Sequence, residues 1–361
     1  MIIGQEEKEA VKNSDNYFDL KGKEFNAFSS ESKEEILKSC LSYWRDKGFP
    51  YYDKDDAKFE KEIMSLKGIK NSDIFDKSAI KNKVNGLKIA NFFNPQLWHV
   101  KVKNAYSPIE RFYDDKALTK ILINSAKMWP DRYSFRPGSI RSSIRLYSKT
   151  RAVTNFYPAI AKAIIKRYSN DNDTVVDFSS GFGGRLLGCL VLNRKYIGID
   201  PSFAQINGCK SIYEYCSTNF KNVVRSSIQL FQSKAEEKLE EFEDEFCSLV
   251  FSSPPYFDHE RYEDCKNQSH INYNNYEDWR TNFLIKIINE SYRILKKNGY
   301  LIVHLKNVNG HDLVLDFISE ANKKFTLKKI YKKEVKRRPY RYIDKYNGSY
   351  NYEKIIVMKK V

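Results

Sequence analysis

The sequence contains no CxxC pair. Cys40, Cys189, Cys209, Cys216, Cys247 and Cys265 stand apart, and its 5 histidines do not join them at zinc-ligand spacing. Structural zinc modules are thereby excluded and no metal is expected; thiols so scattered suit a reducing cytoplasm. No apolar run reaches the roughly 18 residues that argue for a membrane-spanning helix. The opening MIIGQEEKEAVKNSD lacks the basic start and apolar stretch of a secretory signal, so a soluble cytoplasmic protein is expected. Acidic residues are also short: 46 Asp and Glu face 62 Lys and Arg, a formal charge of +16. That excess favours a polyanionic partner, nucleic acid first, through long-range attraction and counterion release. The bland alternative is a lysine-rich composition inherited from an AT-rich genome.

Core-forming material is plentiful: 41% of the 361 residues are hydrophobic, with 25 Tyr and 23 Phe. Residues 1–150 read as mainly helical. Ser29 to Gly48, Lys116 to Met128 and Ser139 to Tyr147 carry helical periodicity, the first ended by Gly48 and the last opened by Pro137 and Gly138. From about Asn155 the pattern changes to short apolar strands alternating with helices: TVVDF (174–178), KYIGID (195–200), SIQLF (227–231), SLVFS (248–252) and YLIVHL (300–305), then a last helix and two closing strands. This alternation predicts an α/β domain over 151–361 with a parallel, doubly wound, Rossmann-like sheet.

TVVDFSSGFGGRLLGCL sets a glycine-rich turn, Gly181, Gly183 and Gly184, between a buried strand and a helix, where missing side chains let a ligand approach the backbone. Asp200 ends the next strand, 23 residues after Asp177, about where an acid can accept hydrogen bonds from ribose hydroxyls. Together they imply an adenosine-containing ligand. The nicotinamide fingerprint is poorly matched, because Gly188 comes late for its third glycine.

The most specific signal is Ser253-Pro254-Pro255-Tyr256, directly after the fourth strand. The exocyclic amine of a base is a poor nucleophile, its lone pair being delocalised into the ring. An enzyme must aim two acceptors at its N–H bonds, and Ser253 Oγ with the Pro254 carbonyl can supply them. The prolines stiffen the loop and remove N–H groups, while Tyr256 offers a face for a base flipped out of a duplex.

DFSSGFGGRLLG, YIGIDPS and FSSPPYFD, in that order, resemble motifs I, II and IV of the DNA amino-methyltransferases, over residues 155–361. The resemblance implies a class I methyltransferase domain using S-adenosylmethionine to methylate adenine N6 or cytosine N4. It also implies cofactor contacts from Phe156 and Pro158 ahead of motif I, from Asp177, Gly181 and Gly183, and from Asp200. The chain departs from the family in three places. Ser179 stands where Phe is frequent, and no Asp follows the third strand, leaving Ser233 or Gln232 to substitute. Serine opens the tetrapeptide, which leans toward cytosine but leaves adenine open.

No target-recognition insert fits between the glycine turn and the tetrapeptide, so recognition is assigned to residues 1–150. DRYSFRPGSIRSSIRLYSKTR places Arg132, Arg136, Arg141, Arg145 and Arg151 among aromatics, a pattern suited to phosphates and bases. A second run carries Arg337, Arg338 and Arg341 with Tyr340 and Tyr342. The loop after the tetrapeptide, with Asp258, Glu260, Arg261 and Tyr262, has the length of a lid. His259 and His270 within it read as incidental, the amine proton passing to solvent. Two other readings stay open: an RNA base methyltransferase, and a nucleic-acid-binding protein without turnover. No nuclease signature appears, so a solitary modification enzyme is expected, with a restriction partner on a separate chain still open.

Overall fold

The computed structural model describes residues 19–258, 260–262, 267–307, 310–333 and 353–361. Arg337, Arg338, Arg341, Tyr340, Tyr342 and His259 lie outside the described residues. The chain divides into two compact units, Met1–Tyr52 with Trp98–Val153, and Asp53–Leu97 with Thr154–Val361. This division differs from the one expected at residue 150. Phe59, Ile63, Leu66, Ile89 and Ala90 bury their side chains in the same core as Ile160, Ile164, Leu186 and Leu187, which draws residues 53–97 into the second unit.

The first unit is helical. Ser29 caps the helix Ser30–Lys47 by accepting the Ser32 N–H at 3.1 Å, and Gly48 ends it at φ +77°, a left-handed conformation open to glycine. Asp114 likewise caps Asp115–Met128 through the Ala117 N–H. Pro137 opens Pro137–Leu146 at a position where its missing N–H costs nothing.

Among the described residues the second unit is built on a nine-stranded sheet. Its strands are β1 (Phe75–Asp76), β2 (Ala79–Ile80), β3 (Thr174–Asp177), β4 (Lys195–Asp200), β5 (Ile228–Gln232), β6 (Cys247–Ser252), β7 (Leu295–Leu305), β8 (Thr326–Lys333) and β9 (Glu353–Lys359). They lie in the order β1-β2-β8-β9-β7-β6-β3-β4-β5. From β5 to β7 every pair is parallel, while β9 inserts antiparallel between β7 and β8.

Alternation along the strands separates two cores. Val175, Leu249, Phe251, Ile302 and Val357 face the helices Pro158–Tyr168 and Gly184–Leu190, and Val176, Val250, Leu301, Val303 and Ile356 face Lys286–Ile294 and Leu313–Ala321. Burial on both faces explains why these strands read as nearly continuous apolar runs. The chain runs outward from β3 through β4 to β5, then returns to β6 on the other side of β3. Strand order therefore reverses between β3 and β6, the switch point at whose carboxyl-end edge open α/β sheets bind their ligands.

Candidate active site

The glycine turn leaves β3 at Asp177, whose side chain is fully buried. Its carboxylate accepts from the Ser179 N–H at 3.3 Å, Ser252 Oγ, Arg185 Nε and Tyr196 Oη, the last three each at 2.7 Å. Asp177 thus binds the turn, the helix behind it and the end of β6 into one buried network. Arg185 also donates to the Ser179 carbonyl, closing the turn onto its own helix. Gly181 and Gly183 sit at φ +53° and +74°. A Cβ at Gly184 would lie 1.9 Å from the Phe156 carbonyl oxygen, so that position admits only glycine. The Phe182 carbonyl accepts from Asn94 Nδ2 at 3.0 Å and Asn155 Nδ2 at 2.8 Å, which holds the turn from two sides.

Asp200 ends β4 beside that turn. One carboxylate oxygen accepts the Gly181 N–H at 2.9 Å and the other the Ser202 N–H at 3.0 Å. Burial pushes its pKa up to about 6 against the help of those two donors. Each oxygen retains a lone pair, so Asp200 offers the two acceptors that the hydroxyls of a vicinal diol require. A Cβ at Gly181 would meet nothing nearer than 3.8 Å, so the backbone there stays approachable. These residues fit an adenosine-containing cofactor. Ser233 donates its N–H to the Asp200 carbonyl at 3.2 Å, so it lies at the same sheet edge, and its hydroxyl reaches the Lys234 carbonyl.

Ser253 to Tyr256 leave the adjacent strand, β6. Ser253 Oγ lies 3.3 Å from His304 Nδ1, 3.2 Å from the His304 carbonyl oxygen and 3.4 Å from Tyr256 Oη. Tyr256 is 7% exposed, and burial raises its phenol pKa. Lys306 Nζ stands 5.1 Å from its ring. Phe156 packs edge-on against Phe251 and His304, with ring centroids 5.5 and 5.2 Å apart, and Pro158 opens the next helix. Phe156 thus lies against His304, the residue that Ser253 Oγ meets. Beyond it, Tyr262 donates to Glu260 and stands 5.8 Å from the Phe182 ring of the glycine turn.

Behind Ser253 stand residues that the sequence reading missed. His304 Nε2 lies 3.1 Å from Glu353 Oε2, and Lys333 Nζ donates to the same oxygen. Burial lowers the His304 pKa to about 4, the nearby Lys333 adding to it against the pull of Glu353. Burial would raise Glu353, but His304 and Lys333 together hold its carboxyl well below the usual range. The signal available was a lone polar residue near the end of YLIVHL, an otherwise apolar strand. Arg185 was equally legible, a charge inside an apolar helix.

In the first unit Arg132 and Arg136 are exposed, Arg136 pairing with Asp19 and lying 3.8 Å from the Tyr133 ring centroid. Arg141 instead donates to the carbonyls of Pro50 and Tyr51 at 2.7 and 3.0 Å, and stands over Tyr52. Arg145 donates to the Val153 carbonyl at 3.3 Å and covers Trp98. Arg151 is exposed as well, so the five arginines divide into three that are exposed and two, Arg141 and Arg145, that are engaged with backbone carbonyls.

A family model described as DNA methylase matches residues 5–208 and 247–361. Among solved structures the chain is similar to TrmN from Thermus thermophilus, at 12% identity and TM-score 0.40, over 56% of this chain and 49% of that one. It spans about half the length of that protein. It is also similar to a SAM-dependent methyltransferase from Methanosarcina mazei, at 14% identity and TM-score 0.38, over 57% of this chain and 99% of that one. A third likeness is to the tRNA (m1A58) methyltransferase TrmI from Aquifex aeolicus, at 11% identity and TM-score 0.39, over 58% and 72%. No curated protein matches the chain.

Proposed function

The chain belongs to the N6/N4 DNA methylase family, whose class I methyltransferase fold it carries and whose methyl donor is S-adenosylmethionine; on that premise we propose that it methylates the exocyclic amine of a flipped-out adenine or cytosine in double-stranded DNA. The observation that carries this reading is the 2.7 Å hydrogen bond from Ser252 Oγ to Asp177. It ties the residue before the tetrapeptide to the base of the glycine turn, so the amine-holding and cofactor-holding loops share one rigid junction at the switch point.

In this reading the cofactor supplies an electrophilic methyl on a sulfonium centre. Asp200 accepts the ribose hydroxyls, and the turn at Gly181 and Gly183 lets the ligand lie against the backbone, with Phe156, Pro158, Ser179 and Ser233 completing the lining. Asp177 acts through the loop that it anchors, since its oxygens already receive four donors. Ser253 Oγ and the Pro254 carbonyl accept the two amine N–H bonds, which orients the nitrogen lone pair toward the methyl. Pro255 stiffens the loop and Tyr256 stacks on the base, offsetting part of the unstacking cost. Arg132 and Arg136 contact DNA phosphates, whereas Arg141 and Arg145 hold the unit that presents them. We place the enzyme in the cytoplasm as a solitary modification activity; no described helix is long and apolar enough to cross a membrane.

The test is incubation with labelled cofactor and separate pools of duplex DNA, single-stranded DNA and RNA, followed by mass spectrometry of the nucleosides. Label in N6-methyladenine or N4-methylcytosine from duplex DNA is the expected result. Label confined to RNA would move the same site chemistry to a different polymer.

A further inference from the structure

We propose that His304, held by Glu353 and Lys333, is a positioning residue that keeps Ser253 Oγ an acceptor toward the amine and takes up the amine proton through that hydroxyl. The inference rests on the amine-methylating reading above. Its basis is a chain of four side chains, His304 and Lys333 buried and Ser253 and Glu353 half-buried, running from the tetrapeptide into the two C-terminal strands: Ser253 Oγ to His304 Nδ1 at 3.3 Å, His304 Nε2 to Glu353 Oε2 at 3.1 Å, and Lys333 Nζ to that same oxygen.

Glu353, ionised beside Lys333, can only accept a hydrogen bond, so it draws the imidazole proton to Nε2 and leaves Nδ1 bare. Nδ1 and the His304 carbonyl are then the two acceptors closest to the Ser253 hydroxyl, at 3.3 and 3.2 Å. Whichever receives the hydroxyl proton, the Oγ lone pairs remain for an amine N–H. Phe156, edge-on at 5.2 Å, fixes the imidazole plane from the side.

During transfer the N–C bond forms from the nitrogen lone pair while the C–S bond breaks, its electron pair returning to sulfur. The nitrogen, now positive with two protons, gives one to Ser253 Oγ, whose own proton passes to His304 Nδ1. The imidazolium so formed faces the Glu353 carboxylate and releases its proton to water after product leaves. A methylated amine still bearing both protons is a far stronger acid than an imidazolium, so the step is downhill even for a His304 whose pKa is lowered to about 4. The charged and titratable groups facing His304 are Glu353 and Lys333 from the C-terminal strands, Arg185 from the glycine-turn helix, and Ser253 and Tyr256 from the tetrapeptide loop.

The experiment measures single-turnover methylation against pH, with S-adenosylmethionine affinity measured separately, for wild type, His304→Asn and Glu353→Gln. His304→Asn is expected to lower the single-turnover rate about 10²-fold while cofactor affinity stays within about twofold. The wild-type rate is expected to rise with pH to a plateau above about pH 5, and the inflection to disappear in His304→Asn. Glu353→Gln, nearly isosteric, is expected to lower the rate about tenfold with unchanged affinity, which guards against a His304 variant that fails to fold. Nitrogen-15 NMR of the histidines, with His304 assigned by its absence in the variant, should show a neutral Nε2–H ring from pH 6 to 9. An active wild type with variants of equal rate, or an Nδ1–H tautomer, would overturn the inference alone. A wild type that methylates no nucleic acid would overturn the amine-methylating reading and this inference with it.

Discussion

Replacing Asp200 by Asn should flatten the pH dependence of folding in the cofactor-free protein. Burial raises the Asp200 pKa from 3.8 to about 6. At about 1.4 kcal/mol per pKa unit, that is a cost on the order of 3 kcal/mol for holding the carboxylate ionised in the empty site. Because the folded value lies above the unfolded one, the folded chain binds the extra proton within this window. The contribution is complete below pH 3.8 and is lost as pH rises through about 6. Urea denaturation of wild type and Asp200→Asn between pH 4 and 8 isolates it. The amide still accepts one of the two backbone N–H groups, and any penalty for the other is the same at every pH, so it offsets the curve without tilting it. Wild type should lose about 2.4 kcal/mol more than the variant across the interval, since pH 4 already lies just above the unfolded value. Cofactor affinity should do the opposite in wild type, strengthening as pH rises through about 6, because the ionised form is the better acceptor of ribose hydroxyls. Parallel stability curves, or an affinity indifferent to pH in this window, would refute the assignment of Asp200.

Arg185→Met should destabilise the fold by about 3–5 kcal/mol, because it leaves the Asp177 carboxylate buried without its ion partner; denaturant titration measures it. Tyr256→Ala should remove most methylation while leaving cofactor affinity near wild type, whereas Asp200→Ala should chiefly weaken the cofactor, as calorimetric titration and turnover assays would show. Arg132→Ala and Arg136→Ala should each weaken DNA binding and reduce its salt slope by about 1, read from binding isotherms at several salt concentrations. Arg141→Ala should instead lower stability by about 1–3 kcal/mol, since it leaves the Pro50 and Tyr51 carbonyls without their donor.

The central sheet was legible because strands buried on both faces read as compact apolar runs; KYIGID coincides with β4. Each of the two loops at the switch point follows such a strand, which is why turn and tetrapeptide could be placed together. The short strands β1 and β2 were not legible, since two residues carry no periodicity. Residues 53–97 joined the second unit through apolar contacts that composition does not distinguish from those of their neighbours. Arg141 and Arg145 read as part of a basic surface because a sequence shows the charge and not the carbonyl that it meets. His304, Glu353 and Lys333 come together only through the antiparallel insertion of β9 between β7 and β8, a pairing of distant segments that no local pattern announces.

The most direct test of the account is mass spectrometry of nucleosides from duplex DNA incubated with the protein and methyl-labelled S-adenosylmethionine, with Ser253→Ala as control. Label in N6-methyladenine or N4-methylcytosine that falls sharply in the control is the expected result. Label on a ring carbon, or equal labelling by Ser253→Ala, would contradict it.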